Sequence, residues 1–206
     1  WVVDNSCSMD DEQGYLADDF GTFYTIVDAA GVDYRIATVT TDDEAFVGAT
    51  PVIGPATPNG AATFATNCTV GTGGSGTERG LMFGYDALVQ AYNNTPPNQG
   101  FWRQDAGLRV VYVSDEEDQS GSWSTYLSYY RGLKADPDQV VLSAICGTNG
   151  YSAQSCSGPG GNADPGNGYV DVANATGGVL GSICDPDWST VLTNLAWITV
   201  SLADTF

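Results

Sequence analysis

Apolar residues recur along the chain at two spacings, and the alternation between them predicts an α/β fold. Short unbroken apolar runs, typical of parallel strands buried on both faces, occupy residues 1–4, 34–41, 109–114, 140–146 and 179–183. A shorter segment at 45–52 reads as an edge strand. Between the runs, apolar residues fall on helical stripes: Leu16, Phe20, Phe23, Ile26 and Val27 within 12–30, and Leu81, Met82, Tyr85, Leu88 and Val89 within 78–92. Further helices are expected at 123–134, 169–175 and 188–202, where Gly, Pro or Asp mark the ends. Strands alternating with helices predict a doubly wound, mostly parallel sheet of about six strands with helices on both faces.

Two segments, 50–76 and 147–168, are rich in Gly, Pro, Thr and Asn and show no periodicity, so both read as long loops. Loops of more than about 15 residues in a compact domain are usually functional or mobile, although Cys156 in the second would staple it down. The 206 residues fit one domain, 1–206. Residue 1 already stands inside an apolar run, which suggests a module cut from a longer protein, with any export signal or anchor outside it.

Charge narrows the partners. Twenty-five acidic residues against 6 basic ones give a net charge of -19, a field that repels nucleic-acid phosphates and anionic lipid surfaces and attracts cations. Acidic groups such as Asp10, Asp11, Glu12 and Asp18, Asp19 also fit plain solvation. No histidine is present, so the usual general base and the usual zinc or copper ligand are missing, and oxygen ligands for a hard cation remain. No apolar stretch approaches the ~18 residues of a membrane span, so no direct membrane insertion is expected.

The five cysteines form no CxxC pair, which favours disulfides in an oxidising compartment over a zinc or redox site. Spacing alone leaves many connectivities open. The pairing expected is Cys156 with Cys184, stapling the second loop to the last strand, and Cys7 with Cys68. Cys146 then remains a buried free thiol, and a free Cys7 beside a metal is the alternative to its bridge.

In open α/β sheets ligands bind beyond the carboxyl ends of the strands, and three segments with oxygen-bearing side chains converge there. In Val3-Asp4-Asn5-Ser6-Cys7-Ser8 a strand-end carboxylate is followed by hydroxyls at two-residue intervals. In Gly73-Gly74-Ser75-Gly76-Thr77-Glu78, glycines allow close backbone approach and Thr77 offers a hydroxyl at a helix start. In Val113-Ser114-Asp115 a second carboxylate follows an apolar strand. Two carboxylates and three hydroxyls suit an octahedral ion such as Mg²⁺, with Ca²⁺ or Mn²⁺ as alternatives. The competing reading is that the hydroxyls cap helices and the aspartates solvate strand ends.

The pattern DxSxS, a later loop threonine and a strand-end aspartate resembles the metal-ion-dependent adhesion site of von Willebrand factor A domains. The resemblance implies that Ser6, Ser8 and Thr77 are hydroxyl ligands, that Asp4 and Asp115 bind directly or through water, and that a partner's carboxylate takes the last position. Longer stretches, VDNSCSM, GSGTERGL, GFWRQDAGLRVVYVSDEED and ATGGVLGSICD, are similar to a bacterial, exported subgroup of these domains, with Cys7 where the usual pattern has Gly. Asp11 and Glu12 resemble the adjacent second metal site of integrin β subunits, or are simply first-turn acids favoured by the helix dipole. Glu78 and Asp118 are expected either as acceptors outside the direct ligands or as surface.

The function expected is therefore a non-enzymatic, extracellular adhesion module that binds a carboxylate-bearing partner. A metal- and disulfide-stabilised structural module is the alternative. A Mg²⁺-dependent hydrolase fits less well, because Ser6 stands where the DxD phosphatase pattern would place a second carboxylate after Asp4, and GxSxG and a phosphate loop with its lysine are missing.

Overall fold

The apolar run Val140–Cys146 is buried at every position, as a strand covered on both faces requires. The computed structural model describes residues 1–203. In chain order the elements are β1 (Val2–Val3), α1 (Asp10–Ala29), β2 (Val39–Thr40), α2 (Gly60–Cys68), α3 (Gly80–Tyr92), β3 (Leu108–Val113), α4 (Trp123–Gly132), a 3-10 turn (Pro137–Gln139), β4 (Val140–Cys146), β5 (Cys156–Gly158), β6 (Gly161–Ala163), α5 (Tyr169–Thr176), β7 (Leu180–Ser182) and α6 (Ser189–Ala203). Five strands form one parallel sheet in the order β2-β1-β3-β4-β7. The winding direction reverses between β1 and β3, and this reversal opens a crevice at their carboxyl ends.

Successive residues of β3 face opposite sides of the sheet, and each side has its own core. Val111 and Val113 pack with Leu16, Phe20 and Phe23 of α1, Phe64 of α2 and Leu192 and Leu195 of α6. Val110 and Tyr112 pack with Leu81 and Leu88 of α3, Tyr130 of α4 and Val170 and Val172 of α5. Each fully buried Leu, Val or Phe contributes about 1.5–3 kcal/mol of transfer free energy. Gly84 lets α3 sit close to the sheet, since a Cβ there would stand 2.8 Å from Val2 Cγ2 and 2.6 Å from Tyr130 Oη.

The structure departs from the sequence reading at three places. The edge strand expected at 45–52 does not form, so the sheet has five strands rather than six. That segment shares its bonds between backbone and side chain instead: Val47 N–H donates to Thr38 O (2.9 Å), Phe46 N–H donates to Asn98 Oδ1 (2.8 Å), and Asn98 Nδ2 donates to Glu44 O (2.7 Å) just before it. Only an isolated antiparallel bridge, Ile36 with Ile53, follows it.

The expected loop 50–76 contains α2, whose Phe64 and Cys68 are buried against α1. The expected loop 147–168 contains the β5–β6 hairpin. The Cys156–Cys184 disulfide ties that hairpin to the end of the sheet. Among the described residues no helix is long and apolar enough to cross a membrane.

Candidate cation site

Asp4 leaves the end of β1 fully buried and is held from three directions. Ser6 N–H donates to Asp4 Oδ1 (2.8 Å), the Ser114 hydroxyl donates to Oδ2 (2.7 Å), and Gln13 Nε2 donates to the Asp4 carbonyl (2.8 Å). The Ser6 and Ser8 hydroxyls lie 3.2 Å apart, so the two-residue spacing does turn both oxygens to one side. The Ser8 hydroxyl is also near enough to Asp115 to oppose the rise in its pKa, which brings the loop after β1 beside the end of β3.

The glycine-rich segment reaches the same place through Asn5 and Asp42. Gly74 N–H donates to Asn5 O (2.8 Å), Ser75 N–H donates to Asp42 Oδ2 (2.9 Å), and Asn5 Nδ2 donates to Asp42 Oδ1 (3.1 Å). A Cβ at Gly74 would collide with the Asn5 side chain, so this contact requires glycine. Thr77 is half-buried, with its N–H on Ser75 Oγ (3.1 Å). Its hydroxyl makes no hydrogen bond among the described residues.

Four carboxylates gather at this crevice. Asp4 and Asp115 were expected there; Glu12 and Glu78 are 3% and 0% exposed and join them. Glu12 Oε2, Glu78 Oε1 and Asp115 Oδ1 are all buried without a hydrogen-bond partner among the described residues. None of the four pairs with a basic side chain, because the ion pair among the described residues is Arg103 with Asp33.

Their protonation reflects that crowding. Burial, then the charges of Asp115, Asp11 and Asp4, pushes Glu12 up to about 7. Burial, with the charges of Asp4 and Glu116, pushes Glu78 up to about 8. Burial raises Asp115 to about 6, with Asp4 and Glu116 adding to it and the Ser8 hydroxyl opposing it. Burial also raises Asp4, outweighing the hydrogen bonds from Ser6 and Ser114.

A buried, unpaired carboxylate costs several kcal/mol unless a proton or a cation compensates it. The residues present therefore fit a bound divalent ion, with Asp4, Asp115, Ser6 and Ser8 as the donors brought together. Among the described residues no three His, Cys, Asp or Glu side chains form a ready-made metal cluster, so hydroxyls would have to complete the set.

The other expected residues divide. Asp11 is exposed while Glu12 turns inward, so they do not act as a pair. Glu12 is covered by the hairpin, where Gly161 (φ +124°) comes so close that a Cβ would collide with Glu12 Oε1. Asp118 caps α3, accepting from Leu81 N–H (3.0 Å), Ser120 N–H (3.1 Å) and the Ser120 hydroxyl (2.7 Å).

The cysteines require one correction. Cys156–Cys184 is formed, but Cys7 and Cys68 are not bonded to each other. Cys7 is exposed in the loop after β1, whereas the last turn of α2 carries Cys68 into the core, where its thiol lies 3.4 Å from Ala65 O. Cys146 is a free, buried thiol.

Sequence reasoning missed Asn5, Gln13, Asp42 and Ser114. Asp42 and Ser114 carried a usable signal, since both follow strand residues at the carboxyl end of the sheet. It also missed the wall formed by the stapled loop, whose Asp164 N–H donates to the Asp115 carbonyl (2.8 Å). No protein-family model, no curated protein and no solved structure matches this chain.

Proposed function

We propose that this chain holds one divalent cation at the crevice between β1 and β3 and presents it to a carboxylate-bearing partner. The observation that carries the reading is the set of three buried, partnerless carboxylate oxygens, on Glu12, Glu78 and Asp115, around the doubly hydrogen-bonded Asp4. Asp4 and Asp115 supply charge, Ser6 and Ser8 supply neutral oxygens, and Thr77 would join by a side-chain rotation. Mg²⁺ suits this mixture of few charges and several neutral oxygens, with Ca²⁺ and Mn²⁺ as alternatives. Ser8 is exposed, so one side of the ion would face solvent and a partner's carboxylate. The likeness of DxSxS, Thr77 and Asp115 to the von Willebrand factor A adhesion site supports this orientation, and the disulfide supports an extracellular setting.

A second reading rests on Glu12 and Glu78. The charge of these two further buried carboxylates would be offset by an ion held at Asp4 and Asp115 without their binding it, and the cation would then stabilise the fold without an external ligand.

Thermal unfolding of protein stripped on a chelating resin, repeated with Mg²⁺, Ca²⁺ and Mn²⁺, tests the ion site. An ion at 100 times its Kd adds about 2.7 kcal/mol, a rise of about 5–10 °C for a chain of this size. Asp115→Ala and Asp4→Asn should abolish the rise. No rise with any of the three ions would sink both readings. An immobilised glutamate-rich peptide then separates them: retention that needs the cation supports adhesion, and no retention of the cation-loaded protein favours the structural role.

A further inference from the structure

The opposite end of the sheet holds a second concentration of charge, of the other sign. A cavity of about 510 Å³ opens beside the start of β3 and is lined by Arg35, Arg103, Arg109 and Lys134. These are four of the chain's six basic residues, collected at one place in a protein with 25 acidic ones. β3 spans six residues, so at about 3.3 Å per residue this cavity lies on the order of 20 Å from Asp115.

Only part of that positive charge is compensated. Arg103 pairs with Asp33 (2.7 Å), and Asp105 is the other acid in the lining. Arg35 and Lys134 donate to backbone carbonyls of the 100–104 segment. Among the described residues Arg109 reaches the Leu108 and Ile198 carbonyls, at 3.2 and 3.3 Å, and its buried Nε has no acceptor. Buried cations are normally paired, and burial here lowers Arg109 to about 10 and Lys134 to about 8. Three aromatic residues, Tyr34, Phe101 and Trp102, also line it, with Lys134 Nζ 4.1 Å from the Trp102 ring centroid.

We infer that this cavity is a binding site for a small organic anion, one carboxylate or phosphate group on a flat apolar body. Guanidinium groups bind such oxyanions through paired N–H donors, Arg109 Nε offers a donor not already used, and the aromatic side chains fit the apolar part. The volume lies within the range of small-molecule sites, about 300–1,000 Å³. Anions gain nothing from the overall field of this acidic chain, so the attraction is local to the four cations.

Calorimetric titration of the intact protein, stripped of divalent ions so that the crevice at Asp4 cannot capture the probe, tests the inference. The probes are phenyl phosphate, benzoate and neutral benzyl alcohol. The expected result is saturable binding of one or both anions and none of the alcohol, with affinity falling about tenfold in the exposed variant Arg35→Gln and in Arg109→Gln. The stronger anion identifies the headgroup. Failure of both anions to bind, equal binding of benzyl alcohol, or unchanged affinity in a folded Arg35→Gln protein would overturn it.

Discussion

The Ser114 hydroxyl donates to Asp4 Oδ2 across 2.7 Å, joining the carboxyl ends of two neighbouring parallel strands. With Ser6 N–H on the other oxygen, this bond fixes the Asp4 carboxylate before any ion arrives. Each Asp4 oxygen retains a lone pair for a cation. Ser114 therefore acts as a positioning residue for the proposed site.

Removing that donor should show in both stability and cation affinity. Ser114→Ala leaves a buried carboxylate oxygen short of a partner and should cost about 1–3 kcal/mol. Cation affinity should fall several-fold, while Ser114→Thr retains most of it. Chemical denaturation and the cation-dependent melting shift read the two effects separately. An alanine variant with wild-type affinity would show that Asp4 needs no such support.

Stability of the metal-free protein should fall as pH rises. The carboxyls of Asp115, Glu12 and Glu78 bind protons more tightly in the folded state, at about 6, 7 and 8. Their contribution is fully present below the ordinary carboxylate range and is lost as pH climbs through these values. A loss of several kcal/mol is expected across the window, since each tenfold change in proton affinity is worth about 1.4 kcal/mol. The double variant Glu12→Gln, Glu78→Gln should flatten the profile, and saturating cation should do the same in the wild type. Identical slopes in wild type and double variant would contradict the assignment.

Thiol chemistry should distinguish the five cysteines. One thiol, Cys7, should react in the native state and two more, Cys68 and Cys146, only on unfolding, as counted by mass after alkylation. Cys156→Ala with Cys184→Ala should lower stability by about 2–4 kcal/mol. Cation affinity should weaken as well, because the stapled loop covers Glu12 and binds the Asp115 carbonyl.

Asp118 should matter for the fold and not for the ion. Asp118→Ala removes the acceptor for Leu81 N–H and the Ser120 contacts at the start of α3, a loss of about 1–2 kcal/mol by comparison with other helix caps. The melting shift produced by Mg²⁺ should keep its wild-type size. A smaller shift would place Asp118 among the groups that support the cation.

Much of the architecture was legible because its signals are local. The stripe of Leu16, Phe20 and Phe23 marks α1, and the unbroken apolar run at Val140–Cys146 marks a strand buried on both faces. Asp4 and Asp115 were legible as neighbours at one end of the sheet because parallel strands place their carboxyl ends together. α2 was hidden by its Gly, Thr and Asn content; its only large anchors are Phe64 and Cys68. The segment 45–52 had the composition of a strand, but the Asn98 side chain takes Phe46 N–H, and a single Val47 N–H to Thr38 O bond does not make a ladder.

By itself the sequence determined the alternation of strands and helices, the sign of the overall charge and the pair of strand-end aspartates, since each depends on residue type and on spacing along the chain. Tertiary structure decided that Glu12 and Glu78 are buried beside those aspartates, that Cys68 is core while Cys7 is exposed, and that four cations meet at the other end of the sheet. An acid in the first turn of a helix is ordinarily solvated. It becomes an unpaired buried charge only when a distant segment, here the stapled hairpin with Gly161 against Glu12, takes its water away.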